Sequence, residues 1–73
     1  MDRWSEIHTA LLVARLGTVS AAAEALGVHR ATVNRHIDTL EREFGTVLFQ
    51  RHARGYTPTD AGRDLLETAG RAA

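Results

Sequence analysis

The order of apolar and polar residues along the 73-residue chain predicts four helices and one short β-hairpin. Apolar positions recur at helical spacing in residues 2–16, 21–26 and 30–44, and again from residue 60 onward. Gly17, Gly27 and Gly45 follow the first three of these segments, where a glycine commonly ends a helix. Residues 47–50 and 56–57 favour two short strands, with 51–55 as the connecting loop. The pattern therefore predicts a mainly α fold.

The first and last helices each carry an apolar face. In the first, that face is formed by four residues: Trp4, Ile7, Leu11 and Ala14. In the last, it is formed by Ala61, Leu65, Ala69 and Ala72. Thr59 is predicted to cap the last helix, which begins near Asp60. Pro58 has no N–H to donate, so the second strand is expected to be short or to lie at an edge.

The second and third helices carry a helix-turn-helix signal. Ser20 is predicted to cap the second helix, which is rich in alanine and so permits close packing. Ala23, Gly27 and Val33 follow the spacing of the motif: a small residue, a glycine in the turn and a branched apolar residue. The third helix is expected to bury a stripe at steps of four, three and four, formed by Val33, Ile37, Leu40 and Phe44.

Charge is unevenly distributed, although nine arginines balance nine acids and the chain has no lysine. Residues 29–56 hold five arginines against three acids, and the remaining arginines and acids leave each flank net negative by one. Arg30 and Arg35, at the start of the third helix, and Arg51 and Arg54, on the hairpin, have no neighbouring acid. Basic residues on the third helix, which is the second helix of the motif, and on the hairpin are expected of a winged helix-turn-helix that binds nucleic acid.

Several other classes of function are excluded or disfavoured. The chain has no cysteine, which rules out disulfides, thiolate metal sites and cysteine nucleophiles. The four histidines are scattered and do not pair at helical spacing, so we expect no metal site. No catalytic serine–histidine–acid pattern is evident, so we expect neither an enzyme nor a cofactor. The apolar runs are too short to cross a membrane, and a cytoplasmic protein is expected.

Residues 17–62 strongly resemble the N-terminal DNA-binding domain of LysR-type bacterial transcriptional regulators. The segments "SAAAEALGV", "LEREFGTVLFQR" and "TDAG" stand in that family's order and spacing. The resemblance implies a winged helix-turn-helix: a three-helix core, a short β-hairpin wing and a C-terminal linker helix. It assigns residues 1–59 to the DNA-binding domain and residues 60–73 to the start of a linker and dimerisation helix.

The resemblance also implies a mode of binding to double-stranded DNA. The third helix, Arg30–Phe44, would enter the major groove, and the wing, His52–Gly55, would touch the flanking backbone or minor groove. The family acts as a homodimer on a pseudo-palindromic operator, and a separate domain, absent from these 73 residues, binds its small-molecule effector. The predicted DNA contacts are Ser20, His29, Arg30, Ala31, Thr32, Asn34, Arg35, Arg51 and Arg54. The predicted dimerisation residues are Trp4, Ile7, Leu11, Leu65, Leu66 and Ala69.

Some positions depart from the family pattern. The family usually has serine at His29, glutamine at Arg30, proline at Ala31 and serine at Asn34, so the base preference is expected to differ. Chemically, Arg30 can offer a bidentate fork to guanine, and Asn34 can pair with adenine.

The sequence leaves alternatives to the predicted contacts open. The basic helix start can be a merely solvated face, and Arg51 can bind its own chain near the hairpin. Trp4, Ile7 and Leu11 can belong to the core rather than to a dimer interface. The rival function is a winged-helix protein-interaction module without DNA binding, which the neutral net charge would suit.

Overall fold

A computed structural model describes residues 3–72 and places four helices around a two-stranded hairpin. The elements are α1 (Trp4–Leu16), α2 (Val19–Leu26), α3 (Arg30–Phe44), β1 (Phe49–His52), β2 (Gly55–Pro58) and α4 (Asp60–Ala72). Asp2, predicted to begin the first helix, and the side chain of Ala72 lie outside the described residues. The mainly α winged helix-turn-helix expected from the sequence is confirmed.

Helix α1 buries a different part of its surface from the one predicted. Thr9, Ala10 and Val13 are its buried residues, whereas Trp4 is 49% exposed. The predicted residues Ile7, Leu11 and Ala14 are partly buried against the core. Because α2, α3, α4 and the hairpin strand β2 all contact α1, no single stripe marks its inner face.

Helix α2 begins two residues earlier than predicted, and the prediction of Ser20 as its cap is wrong. Thr18 is the N-cap, and its hydroxyl accepts a hydrogen bond of 3.0 Å from the backbone N–H of Ala21. Ser20 lies within the helix and is exposed. Thr18 has the extended backbone conformation that is typical of an N-cap residue.

The helix-turn-helix formed by α2 and α3 is confirmed. Gly27 adopts a left-handed conformation (φ 71°), which allows the sharp turn, and the next N–H, of Val28, bonds to the carbonyl of Ala23 at 3.0 Å. In α3, Val33, Ile37 and Leu40 are completely buried. The prediction that Phe44 continues this stripe is wrong, because it lies at the helix end and is 48% exposed.

The hairpin is shifted along the chain relative to its prediction. Val47 and Leu48 precede β1 rather than forming it, and the strand pairs extend to His52 opposite Gly55. The connecting loop is therefore shorter than the predicted residues 51–55. Pro58 lies at the end of β2 opposite Phe49, in a sheet of two strands, so the short edge strand expected there is confirmed.

The hairpin is fixed at both ends of β2, by a close contact with Gly17 at its start and by the cap of α4 that follows it. The backbone N–H of Tyr56 donates to the carbonyl of Gly17 at 2.9 Å. Gly55 adjoins that contact at φ 143°, and a Cβ there would stand 2.1 Å from the Gly17 oxygen, so only glycine fits. On the other side, Thr59 caps α4 as predicted: its hydroxyl accepts from the N–H of Gly62 at 3.1 Å.

Candidate nucleic-acid interface

The first turn of α3 is exposed and keeps backbone donors available. His29 occupies the N-cap position, but its side chain makes no capping hydrogen bond. His29, Arg30 and Ala31 are all exposed at this end, and Thr32 and Asn34 are partly exposed. The first N–H groups of a helix lack partners within it and suit an anion such as a phosphate. The predicted contact residues on α3 therefore lie at one helix end.

Ser20 on α2 lies beside this helix start. Arg30 Nη1 is 3.5 Å from the Ser20 hydroxyl, a distance at the outer limit of a hydrogen bond. Both residues line an open cleft of about 340 Å³ between α2, α3 and the hairpin, together with Asn34, Arg54 and Tyr56. The structure thus brings predicted contact residues from α2, α3 and the hairpin around one cleft.

Asn34 faces the hairpin across this cleft. The hydroxyl of Tyr56 donates to Asn34 Oδ1 at 2.7 Å, and both side chains are partly buried. This hydrogen bond joins α3 to β2. It uses the carbonyl end of the amide and leaves the NH₂ end with its two donors.

Arg51 is held by its own chain, which favours the intramolecular alternative for this residue. Its guanidinium lies 2.7 Å from Asp38 Oδ1 and 3.3 Å from Glu41 Oε1. It also stacks over Tyr56, with Cζ 5.3 Å from the ring centroid. The hydrogen bond to Asp38 raises the pKa of the Arg51 guanidinium above its usual value despite the opposing effect of burial, and nearby charges raise it further.

Ion pairs link the acids around the third helix to particular arginines. All three acids between residues 29 and 56 are occupied: Asp38 and Glu41 by Arg51, and Glu43 by Arg3 at 3.2 Å. Arg30, Arg35 and Arg54 are exposed, and none forms an ion pair with another described residue. The described residues that line the cleft include Arg30 and Arg54 but no acid, so the cleft is more basic than the zero net charge of the chain indicates.

The histidines on α3 and the hairpin have different surroundings. Thr9 donates its one hydroxyl hydrogen to the carbonyl of Ser5, so His36 Nδ1–H donates to the Thr9 oxygen at 2.8 Å. His36 therefore links α3 to α1 rather than lying at the helix start with His29. His52 bonds the Thr57 hydroxyl across the hairpin at 2.8 Å. Within residues 3–72, no group of three or more acids and histidines could hold a metal ion.

The residues predicted for dimerisation fall into two groups. Leu66 and Ala69 are at most 8% exposed within the single chain, which leaves little of either side chain for a partner. Trp4 is half exposed, and Ile7, Leu11 and Leu65 are partly exposed beside the core.

Over the described part of the chain, no helix has the length and apolar character needed to cross a membrane.

Two residues of the site escaped the sequence analysis. Tyr56 was assigned only to a strand, and its bond to Asn34 spans 22 positions, a separation for which the sequence carries no local signal. Thr18 lines the same cleft and caps α2. A polar residue three positions before the alanine run was the available signal for Thr18.

The chain is similar to several curated bacterial regulators. It is 43% identical over 63 residues to the HTH-type transcriptional regulator AbaB of Streptomyces antibioticus, covering 86% of this chain and 21% of AbaB. It is 48% identical over 59 residues to the regulator YofA of Bacillus velezensis, covering 81% of this chain and 20% of YofA. The chain therefore spans about a fifth of the length of these relatives.

Solved structures and a family profile agree with these relatives. The crystal structure of the CbnR DNA-binding domain in complex with DNA matches with a TM-score of 0.91 and 35% identity, over 99% of this chain and 82% of that one. Full-length CbnR complexed with its target DNA matches with a TM-score of 0.90, over 25% of its length. The profile of bacterial regulatory helix-turn-helix proteins of the LysR family covers residues 4–63. The chain belongs to the LysR family of bacterial regulatory helix-turn-helix proteins.

Proposed function

We propose that this chain is a sequence-specific, double-stranded-DNA-binding domain of a cytoplasmic bacterial transcriptional regulator. The observation that carries the proposal is the charge pattern of the cleft. Arg51 and Arg3 occupy the acids of the region, while Arg30, Arg35 and Arg54 stay exposed without an ion pair to a described residue. In this proposal residues 1–59 bind DNA, and residues 60–73 begin a linker and dimerisation helix.

The first turns of α3 act as the reader of the major groove. Arg30 suits a bidentate contact to guanine, and the small side chains of Ala31 and Thr32 suit a thymine methyl. Arg35 reaches a base or a phosphate. Ser20, the amides at His29–Ala31 and Arg54 on the hairpin hold phosphates and fix the register. Arg51 positions the hairpin instead of touching DNA, because its charge is already paired.

The test is a titration of labelled promoter DNA at two salt concentrations. Binding through phosphates releases counterions, so the affinity should fall steeply as salt rises. The double variant Arg30→Ala/Arg35→Ala should bind weakly and lose base preference, with a salt slope reduced by at most about one.

A matched control variant has the same net charge as this double variant. Arg63→Ala/Arg71→Ala also removes two positive charges, but from α4, where each arginine pairs with an acid of its own helix. We expect this variant to bind nearly as well as the parent chain. An equal loss of DNA affinity in both double variants would show that only the overall charge matters, which would contradict the assignment to the cleft. Absence of binding to any upstream DNA at low salt would favour the protein-interaction module instead.

We also propose that the chain pairs as a homodimer through the faces of α1 and α4 that carry Trp4, Ile7, Leu11 and Leu65. These side chains keep apolar surface exposed in the single chain. A two-fold dimer predicts a pseudo-palindromic operator. Sedimentation at increasing concentration, alone and on DNA, tests this; a monomer under every condition contradicts it. Control by a small molecule would require a domain outside these residues.

A further inference from the structure

The hydrogen bond between Tyr56 and Asn34 carries an inference about base preference. It connects strand β2 of the hairpin to Asn34 in the second turn of α3, and both side chains line the cleft. Asparagine and tyrosine are separated by 22 residues, so the contact exists only in the folded domain. The inference rests on the proposed function, since it concerns how DNA is read.

The phenol of Tyr56 is held from several sides. Its ring lies 6.2 Å from that of Phe49, tilted by 53°, and Phe49 is 2% exposed. Arg51 covers the ring face with its guanidinium at 5.3 Å, and Asp38 and Glu41 hold that guanidinium in turn. The Tyr56 backbone is bound to Gly17. The hydroxyl therefore occupies a fixed position rather than following the motion of Asn34.

A free asparagine amide presents either end to a ligand, because its terminal torsion is broad and roughly two-fold. In the structure the fixed hydroxyl of Tyr56 donates to Oδ1, which corresponds to one of these two orientations. The carbonyl end is turned to the hairpin, and the NH₂ end keeps its two donors. Bidentate reading of adenine needs the carbonyl oxygen for N6 and the NH₂ for N7. Guanine presents two acceptors, N7 and O6, and is served by the NH₂ alone.

We propose that Tyr56 is a positioning residue that orients the Asn34 amide, so that Asn34 donates to guanine instead of pairing with adenine. Tyr56 itself does not touch the base. This assignment changes the reading of Asn34 drawn from the sequence, where an adenine contact was expected. The purine preference at one base pair of the operator then depends on a hydroxyl in the hairpin.

The experiment selects bound sites from a randomised DNA duplex library with the 73-residue chain and with two variants. Asn34→Ala identifies the base pair that Asn34 reads, because the bound sites should lose their base preference at that position. Tyr56→Phe keeps the ring and its contacts but removes the hydroxyl. We expect the guanine-over-adenine preference at that base pair to fall by at least about fivefold, with the other positions unchanged. Affinity for random duplex and its salt slope should stay within about twofold, because phosphate contacts are untouched.

Thr57→Val is the matched control. It removes a hydroxyl from the adjacent strand residue, one that bonds His52 and not Asn34. It should leave the purine preference intact, and all variants are compared at a temperature where circular dichroism shows each one folded. An unchanged preference in Tyr56→Phe, an equal change in Thr57→Val, or no base pair sensitive to Asn34→Ala would each overturn the inference. If the parent chain binds no DNA at low salt, the proposed function itself fails, which is a separate result.

Discussion

Glu41 and Arg51 join α3 to the hairpin through both oxygens of one carboxylate. Glu41 Oε1 lies 3.3 Å from the Arg51 guanidinium. Oε2 accepts hydrogen bonds from the backbone N–H groups of Leu48 and Phe49, at 2.9 and 3.3 Å. The carboxylate thus satisfies the backbone just where the chain leaves α3 and enters β1, and it pairs with one of the arginines of the hairpin.

Replacing Glu41 by alanine should destabilise the domain strongly. Two backbone N–H groups and the guanidinium would lose an acceptor in a partly buried place, which should cost about 2–4 kcal/mol of unfolding free energy. Urea denaturation followed by circular dichroism measures this. Glu43→Ala is the control, because Glu43 is half exposed and pairs with Arg3 only on the surface. It should cost less than about 1 kcal/mol. Similar losses in both variants would contradict the role assigned to Glu41.

The cap of α2 provides a second test of stability. Thr18→Ala removes the acceptor for the N–H of Ala21 and should cost about 1 kcal/mol. Ser20→Ala changes an exposed position inside the same helix and should alter stability by less than about 0.5 kcal/mol. Thermal or urea unfolding of the two variants distinguishes them. If Ser20→Ala were the more harmful substitution, the cap would be misassigned.

The uncapped start of α3 makes a gain of stability available. His29 makes no side-chain cap, so His29→Ser should supply a hydroxyl acceptor and add about 0.5–1 kcal/mol of stability. His8→Ser is the control, because His8 is exposed within α1 and a serine there caps nothing. Denaturant unfolding measures both variants. No gain from His29→Ser would show that the helix start is already satisfied in solution.

Features that depend on residues close together in the chain were predicted correctly, whereas features that depend on distant residues were not. Local signals located the turn at Gly27, the cap at Thr59 and the buried residues Val33, Ile37 and Leu40, because spacing and turn chemistry act within a few residues. The prediction that Phe44 is buried was wrong, because helical periodicity does not show where the neighbouring elements end.

Within the candidate site, long-range pairing decided what the sequence could not. Arg51 and Arg54 look alike in the sequence as hairpin arginines without a neighbouring acid. In the fold, Asp38 and Glu41 reach Arg51 from α3, whereas Arg54 at the hairpin tip has no ion pair with a described residue. A difference of three positions on a hairpin sends one guanidinium towards the helix and leaves the other on the rim of the cleft.

That difference predicts opposite phenotypes for the two arginines. Arg54→Ala should keep its melting temperature but bind every DNA sequence more weakly, with the salt slope reduced by about one, because one phosphate contact is lost. Arg51→Ala should instead lower stability, since Asp38, Glu41 and the Tyr56 ring lose their shared partner. Melting curves and DNA titrations at two salt concentrations separate the cases. Arg42→Ala serves as the charge control, because Arg42 is exposed and does not line the cleft. A change in base preference, rather than a uniform loss, on Arg54→Ala would contradict its assignment to the DNA backbone.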